Sequence, residues 1–393
     1  MAKRVSMTGN EAVAEAMKQI NPDVVAAYPI TPSTEVMQIF SQFVADGIVK
    51  TELITVESEH SAMSACIGAA CAGGRVMTAT SACGLALMWE MLPIAAAYRL
   101  PIVMTVVNRA LSAPINIHCD HSDSMGCRDS GWIQLYSENA QEAYHNVIQA
   151  AAIGKREGVW LPVMVCVDGF IISHSIESME LLEDSNVKEF IGEYKPKRSL
   201  LNIGQPITYG PLDLQDYYIE HRRQLVEALR NSEKAIKDVA GEFNKKFGTS
   251  YGFINGYRLE DAEIAIVSIN SSAGTVRYVV DKLREKGIKA GSLKLRVFRP
   301  FPQDEIRNAL KHLKAVAVLE RADSYGASGG PVFSEIRSSL YDLGEKPNIV
   351  NYIYGLGGRD LGVEHIREVY NDLIKIAETG KVNELYQWIT IRE

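Results

Sequence analysis

The residues best suited to chemistry fall where apolar runs give way to turns carrying small or ionisable side chains. In Ala27-Tyr28-Pro29-Ile30-Thr31-Pro32-Ser33-Thr34, two prolines stiffen the exit from an apolar run. Ser33 or Thr31 can cap the helix that follows, but a hydroxyl at such a junction can equally face a ligand. Open parallel sheets bind ligands beyond the carboxyl ends of their strands. Next, Glu57-Ser58-Glu59-His60 stands before Ala62, Ser64, Ala65, Gly68, Ala69 and Ala70. So small a helix face admits a flat ligand or another backbone. The plainer reading is that both carboxylates only complement a helix N-terminus. Arg109, after a further apolar run, suits bidentate recognition of a carboxylate, or a salt bridge to one of those acids.

Two more stretches invite a site and are read conservatively. Pro114 to Asp123 holds His118, Asp120, His121 and Asp123. No second cluster with ligand spacing accompanies it, so a hydrogen-bonded loop is expected there and no metal. Tyr325-Gly326-Ala327-Ser328-Gly329-Gly330-Pro331 could cradle a phosphate at a helix N-terminus. It lacks the lysine of a phosphate-binding loop, no GxGxxG fingerprint is present, and a tight turn explains it.

Positioning these residues requires strands that end beside one another. Val24 to Tyr28, Leu53 to Val56, Val76 to Thr80, Ile102 to Val107 and Leu161 to Val167 read as buried strands. Ser33 to Val44, His60 to Ala72 and Leu85 to Tyr98 have helical length and period between them. Strand and helix alternating at this spacing predict βαβ units and a mainly parallel sheet. From about residue 170 to 248 the pattern becomes an excursion: turn-rich around residues 194–211, then a long charged helix from Leu214 to Phe247 that ends at Gly248. A second α/β unit follows. Strands are expected at Glu263 to Ile269, Ala315 to Leu319 and Ile349 to Ile353. Helices are expected at Ala273 to Lys286, Asp304 to Leu313 and Val363 to Thr379. The expected division is 1–255 and 256–393.

Composition narrows the class. The 393 residues are 47% hydrophobic and 23% charged, the balance of an ordinary globular protein. A net charge of −7 argues against nucleic acid as partner. No apolar run is long enough to span a bilayer, and the N-terminus has no secretory pattern, so a cytoplasmic location is expected. The six cysteines, at 66, 71, 83, 119, 127 and 166, form no CxxC pair. That spacing predicts free thiols in a reducing compartment and places any iron–sulfur cluster on another chain.

Taken together, YPITPST, ESEHSAMSACIGA, NRALSAPINI, DHSDSMGCRDSGWIQ, PVMVCVDGFIISH, VFRPFP and GLGGRD occur in one order. In that order and spacing the chain resembles the alpha subunit of multi-subunit pyruvate:ferredoxin oxidoreductases. The resemblance covers nearly the whole chain. It implies a thiamine pyrimidine-binding domain, a parallel sheet flanked by helices, followed by an α/β domain like the C-terminal one of transketolase. It also implies thiamine diphosphate-dependent oxidative decarboxylation of a 2-oxoacid, pyruvate first, to carbon dioxide and an acyl-coenzyme A. Electrons would pass to [4Fe-4S] clusters and ferredoxin.

By motif match, Glu59 would bond the aminopyrimidine ring, with Tyr28, Pro29 and Ile30 beside the cofactor. Thr31 would hydrogen-bond the substrate and Arg109 would hold its carboxylate. The GDG motif that binds the diphosphate and magnesium is absent; Val167-Asp168-Gly169-Phe170 lacks the first glycine. A diphosphate-binding beta subunit is therefore expected, with gamma and ferredoxin-like delta subunits, in a dimer of hetero-oligomers. Ala82-Cys83-Gly84 and Ile117-His118-Cys119-Asp120 depart from the relatives' Ser-Gln-Gly and Ile-Trp-Asn-Asp. Cys83 and His118 would trim the substrate pocket and admit a bulkier acid such as phenylglyoxylate. A dicarboxylate would want a second cation beside Arg109. A subunit that kept the fold and lost the chemistry is the alternative from another class.

Overall fold

A computed structural model describes residues 3–392. The chain begins β1 (Lys3–Met7), α1 (Gly9–Ile20), β2 (Val24–Ala27), α2 (Thr34–Ala45), β3 (Glu52–Thr55) and α3 (Glu59–Cys71). It continues β4 (Val76–Thr80), α4 (Ala82–Leu87), α5 (Met91–Ala97), β5 (Val103–Asn108), α6 (Ser122–Gly126), β6 (Ile133–Ser137) and α7 (Ala140–Ile153). Then come β7 (Val163–Asp168), β8 (Glu177–Leu181), α8 (Asp184–Ile191) and the long α9 (Tyr218–Phe247). The remainder is β9 (Ile254–Tyr257), β10 (Ile264–Ile269), α10 (Ser272–Arg284), β11 (Ala290–Leu295), β12 (Val297–Arg299), α11 (Gln303–Leu310) and β13 (Ala315–Glu320). It closes with α12 (Pro331–Leu340), β14 (Asn348–Ile353), a 3₁₀ turn (Leu356–Gly358), α13 (Val363–Thr379) and β15 (Tyr386–Trp388).

Two large sheets organise these elements, while β1 and β8 pair antiparallel in a small third one. The first has the order β12-β6-β7-β5-β4-β2-β3, parallel except for β12, which runs antiparallel to β6. Every residue of β4, β5, β6 and β7 is buried. Their unbroken burial and mainly apolar residues fit a parallel sheet covered on both faces. The second sheet has the order β15-β14-β13-β10-β11-β9, with only β9 antiparallel to its neighbour. Among the described residues, no helix is long and apolar enough to cross a membrane.

Local chemistry sets the ends of these elements. Thr8 and Glu11 form a capping box at the start of α1, which satisfies two otherwise unpaired N–H groups. The helix expected over Leu85 to Tyr98 is instead two, α4 and α5, broken at Met88 to Glu90. Pro93 accounts for the break. It has no N–H to donate and clashes with the carbonyl four residues back, so it is tolerated in a first turn and not in a helix interior. Helix α9 starts at Tyr218, later than the charge pattern suggests, and ends where Gly248 adopts φ 70°, a conformation glycine takes without strain. Before it, residues 192–217 carry no regular structure, and Leu201, Ile203 and Leu212 are 75, 94 and 88% exposed.

The two sheets meet through buried polar groups. Lys294 Nζ donates to Glu142 at 2.6 and 2.7 Å, and Arg296 Nε donates to Asn146 Oδ1 at 2.8 Å. Both acceptors lie on α7, of which 12 residues are buried.

Candidate active site

Strand β2 pairs with β3 on one side and β4 on the other, so the chain reverses direction across the sheet after β3. That is the switch point at which open α/β sheets place their ligands. The carboxyl ends of β5, β4, β2 and β3 lie consecutively there, and the loops and helix starts that follow them carry Arg109, Cys83, Thr31 and Glu59. Tyr28, Pro29 and Ile30 form the turn after β2, with Tyr28 37% exposed. Buried Asn10 on α1 fixes this turn by donating Nδ2 to the Pro32 carbonyl at 2.9 Å.

The two acids of the Glu57-Ser58-Glu59 step separate clearly. Ser58 caps α3, its hydroxyl accepting from Ser61 N at 3.2 Å. Glu57 is exposed and accepts from the Ser61 hydroxyl at 2.5 Å, the behaviour of an acid serving a helix start. Glu59 turns inward and is only 7% exposed. No hydrogen bond reaches its carboxylate among the described residues. A Cβ on Gly84 would lie 2.7 Å from Glu59 Oε1 and 2.6 Å from Thr80 Oγ1, so glycine is required there. The hydroxyls of Thr80 and Ser81 are buried without a partner. A buried carboxylate near the unpaired Thr80 hydroxyl is costly, and a planar, hydrogen-bonding ligand would relieve that cost.

Arg109 is buried, and its guanidinium is aimed by two carbonyls. Nε donates to Asn116 O and Nη1 to Thr31 O, both at 2.9 Å. This brings Arg109 against the turn that carries Thr31, and leaves Nη2 without a bond among the described residues. Asp123 ties the neighbouring loops together. Its carboxylate accepts from Ala82 N, Arg109 N and Asn108 Nδ2 at 3.0, 3.0 and 2.8 Å. Burial pushes its carboxyl up to about 6, against the pull of those donors. Cys83 Sγ lies 3.5 Å from Ser112 Oγ. The Ser112 bonds, aided by the Arg109 charge, hold this thiol below its ordinary pKa despite some burial.

His118 packs its ring on Phe170, with centroids 5.0 Å apart, and its Nδ1 lies 3.3 Å from Asn116 Oδ1. Its neighbour His121 is buried and bonds Asp168 Oδ1 at 2.7 Å. Among the described residues, Cys119, His121 and Asp168 form the one group with ligand atoms close enough to hold a cation, within 4.8 Å of one another. Arg321 already supplies positive charge there. Nη1 is 3.3 Å from Asp168 Oδ2, and the guanidinium also interacts electrostatically with Cys119. Asn270 Nδ2 and the Ser271 hydroxyl complete the set on Asp168. Burial alone would raise the Asp168 carboxyl, yet His121 and Arg321 outweigh it and hold it well below the usual range. The cluster is therefore a clasp between the two sheets.

The glycine stretch at Tyr325 to Pro331 is no open phosphate cradle. The start of α12 is filled from within by Glu320, which accepts from Val332 N at 2.9 Å and Phe333 N at 2.7 Å. A Cβ on Gly330 would fall 2.4 Å from that carboxyl group, which burial pushes up to about 8, so the tight-turn expectation is met and an internal carboxyl fills the place an external anion would take.

The family described as pyruvate flavodoxin/ferredoxin oxidoreductase, thiamine diP-bdg, matches residues 15–241. The pyruvate:ferredoxin oxidoreductase core domain II family matches residues 262–366. "Pyruvate synthase subunit PorA" of Thermotoga maritima is 56% identical over 95% of each chain. The chain belongs to the pyruvate:ferredoxin oxidoreductase family. Within it, this is an alpha-type subunit of a 2-oxoacid:ferredoxin oxidoreductase. The Methanocaldococcus jannaschii "Pyruvate synthase subunit PorA" is 46% identical over 98% of each chain. "Ketoisovalerate oxidoreductase subunit VorA" of Pyrococcus abyssi is 42% identical over 98% of this chain and 97% of that one. Two solved structures share the fold. A 2-oxoglutarate:ferredoxin oxidoreductase from Magnetococcus marinus, solved with 2-oxoglutarate, coenzyme A and succinyl-CoA bound, aligns with TM-score 0.74 at 20% identity. It covers 94% of this chain and 65% of that one. A split-gene transketolase aligns with TM-score 0.55 at 12% identity, over 94% of this chain and 99% of that one.

The sequence pattern of this oxidoreductase subunit places Asp123 in the hydrogen-bonded loop expected over Pro114 to Asp123, but it passes over Asp168 as an organiser, where only an incomplete GDG string is read. It also passed over Asn116, whose signal is an uncharged polar residue between two isoleucines in an exposed loop. For the thiols the structure makes a sharp statement. Five of six cysteines are buried and only Cys83 is partly open. Titrating the native chain with a thiol-specific disulfide reagent is expected to show one fast-reacting group, absent from Cys83→Ala. Several equally fast thiols would contradict the packing described.

Proposed function

We propose that this subunit contributes the pyrimidine half of a thiamine diphosphate site and that the assembled enzyme oxidatively decarboxylates pyruvate with coenzyme A. The observation that carries this is the inward-facing Glu59 carboxylate, set against Gly84 and near the unpaired hydroxyl of Thr80 at the sheet's switch point. A flat aminopyrimidine suits that niche in shape and hydrogen bonding. When bound, the cofactor supplies a nucleophilic carbon and an electron sink for decarboxylation.

The chain's own residues then have defined tasks. Glu59 holds a proton at the pyrimidine ring and so favours the tautomer whose exocyclic nitrogen acts as base. Tyr28, Pro29 and Ile30 border the cofactor from the turn after β2. Arg109, with Nη2 uncommitted, takes the substrate carboxylate, and the Thr31 hydroxyl bonds the substrate oxygen. Cys83 and His118 shape the pocket around the acid's side chain. The pyruvate synthase relatives support pyruvate first, and the ketoisovalerate relatives set branched acids second.

The partners follow from what the residues lack. With no GDG string in this chain, a beta subunit holds the diphosphate and magnesium. With no CxxC pair, the [4Fe-4S] clusters belong to partner subunits, gamma or a ferredoxin-like delta, which pass electrons to ferredoxin. Such a complex is read as a dimer of hetero-oligomers, and the chain as dividing near residue 255.

The test is to purify the native complex and follow dye reduction with pyruvate, 2-oxoisovalerate, 2-oxoglutarate and phenylglyoxylate, each with and without coenzyme A. Coenzyme A-dependent reduction, fastest with pyruvate, is expected. Reduction by none of the four would turn the assignment toward a subunit without chemistry.

A further inference from the structure

We infer that the second α/β unit positions Arg109: the glycine turn Gly355-Leu356-Gly357-Gly358-Arg359 holds Asn116, and Asn116 holds the guanidinium. This rests on the reading of Arg109 as the substrate-carboxylate residue and extends it to a part of the chain far away in sequence.

The loop that aims Arg109 has little apolar anchorage of its own. Ser112, Ala113, Pro114 and Ile117 are exposed, and Ile115 is 78% exposed. Half-buried Asn116 is the exception, and its carbonyl oxygen and both side-chain polar atoms are bonded. Its carbonyl accepts from Arg109 Nε at 2.9 Å, and its Oδ1 accepts from His118 N at 2.7 Å. Its Nδ2 donates across to the Gly357 carbonyl at 3.0 Å. The return strand of the loop is fixed from the same direction. Gly357 N donates to Asp120 Oδ2 at 3.3 Å, and His121 N donates to the Arg321 carbonyl at 2.8 Å.

The turn is built to come this close. Gly355, Gly357 and Gly358 have φ of 63°, 64° and 83°, where a side chain is strained. A Cβ on Gly357 would lie 2.3 Å from Asn116 Nδ2, and one on Gly358 would lie 2.4 Å from His118 Cβ. The turn is itself latched, Gly355 N to Thr390 Oγ1 at 3.3 Å and Arg359 Nη1 to Thr390 O at 2.8 Å. A rigid turn thus sets a carbonyl, the carbonyl sets an amide, and the amide's own backbone sets the arginine. Holding a charged group to within a fraction of an ångström is worth one to two orders of magnitude in a reaction step.

Asn116 and Gly357 are accordingly positioning residues, and a double-mutant cycle in the assembled complex tests them. Asn116→Ala is expected to raise the KM for the 2-oxoacid about tenfold, with kcat changed less and the KM for coenzyme A unchanged. Gly357→Ala, which leaves Asn116 in place, should do the same from the other side of the contact. In an Arg109→Ala background, neither change should raise the KM further. Additive losses, or a coenzyme A KM that rises in parallel, would mean a general structural role and overturn the inference. The underlying reading fails differently: Arg109→Ala alone would leave the KM for the 2-oxoacid where it was.

Discussion

Glutamine in place of Glu59 is expected to lower kcat of the assembled enzyme by about 10²- to 10⁴-fold, the range for loss of one acid–base group. The change keeps the size of the side chain and removes its capacity to hold and release a proton, so the complex should assemble as before. Gly84→Ala offers a second route to the same loss with Glu59 intact. Its Cβ would sit 2.7 Å from Glu59 Oε1 and 2.6 Å from Thr80 Oγ1, closer than carbon and oxygen approach without displacement. Steady-state dye reduction, with gel filtration to check assembly, measures both. A Glu59→Gln complex that keeps more than a tenth of its kcat would show that proton transfer does not pass through this carboxylate.

The second large effect concerns stability. Asp168 is fully buried between the sheets and receives His121, Asn270, Ser271 and Arg321. Asp168→Ala would strand the Arg321 guanidinium without its carboxylate, at a cost of about 3–5 kcal/mol. Denaturant unfolding of the chain measures it, and a loss under 1 kcal/mol would contradict the clasp. The pH dependence has a fixed sign. The folded carboxyl titrates below its unfolded value of about 3.9, so its stabilisation is complete above that pH and is lost as pH falls through the folded value. Asp168→Asn should lack that acid-side loss.

Most of the parallel sheet around the site was legible because its strands are rich in apolar residues, and Glu59, Thr31 and Arg109 were singled out because they follow such strands. Where the two sheets meet, the sequence misled. Helix α7 buries Glu142, His145, Asn146 and Gln149, so its pattern has no apolar stripe to detect. Strand β11, Ala-Gly-Ser-Leu-Lys-Leu, is buried along its whole length, yet its lysine reads as a surface residue. Both were missed for one reason. Hydrophobic periodicity identifies an element that faces water on one side, and these face another polar element. Asp168 was misjudged likewise, since a buried carboxylate's value lies in donors that arrive from distant parts of the chain.

The unstructured stretch before α9 has a bearing on how this subunit fares in a cell. Ile203 and Leu212 stand almost wholly in water, with Leu201, Leu214, Tyr217 and Ile219 each at least 60% exposed nearby. Apolar side chains so exposed, and so close together in sequence, favour aggregation. A freshly translated copy is thus at its most vulnerable between folding and assembly. Heat, crowding by its own kind, or overproduction of this gene alone would drain it into insoluble material, and yield would follow the supply of chaperones more than the stability of either sheet.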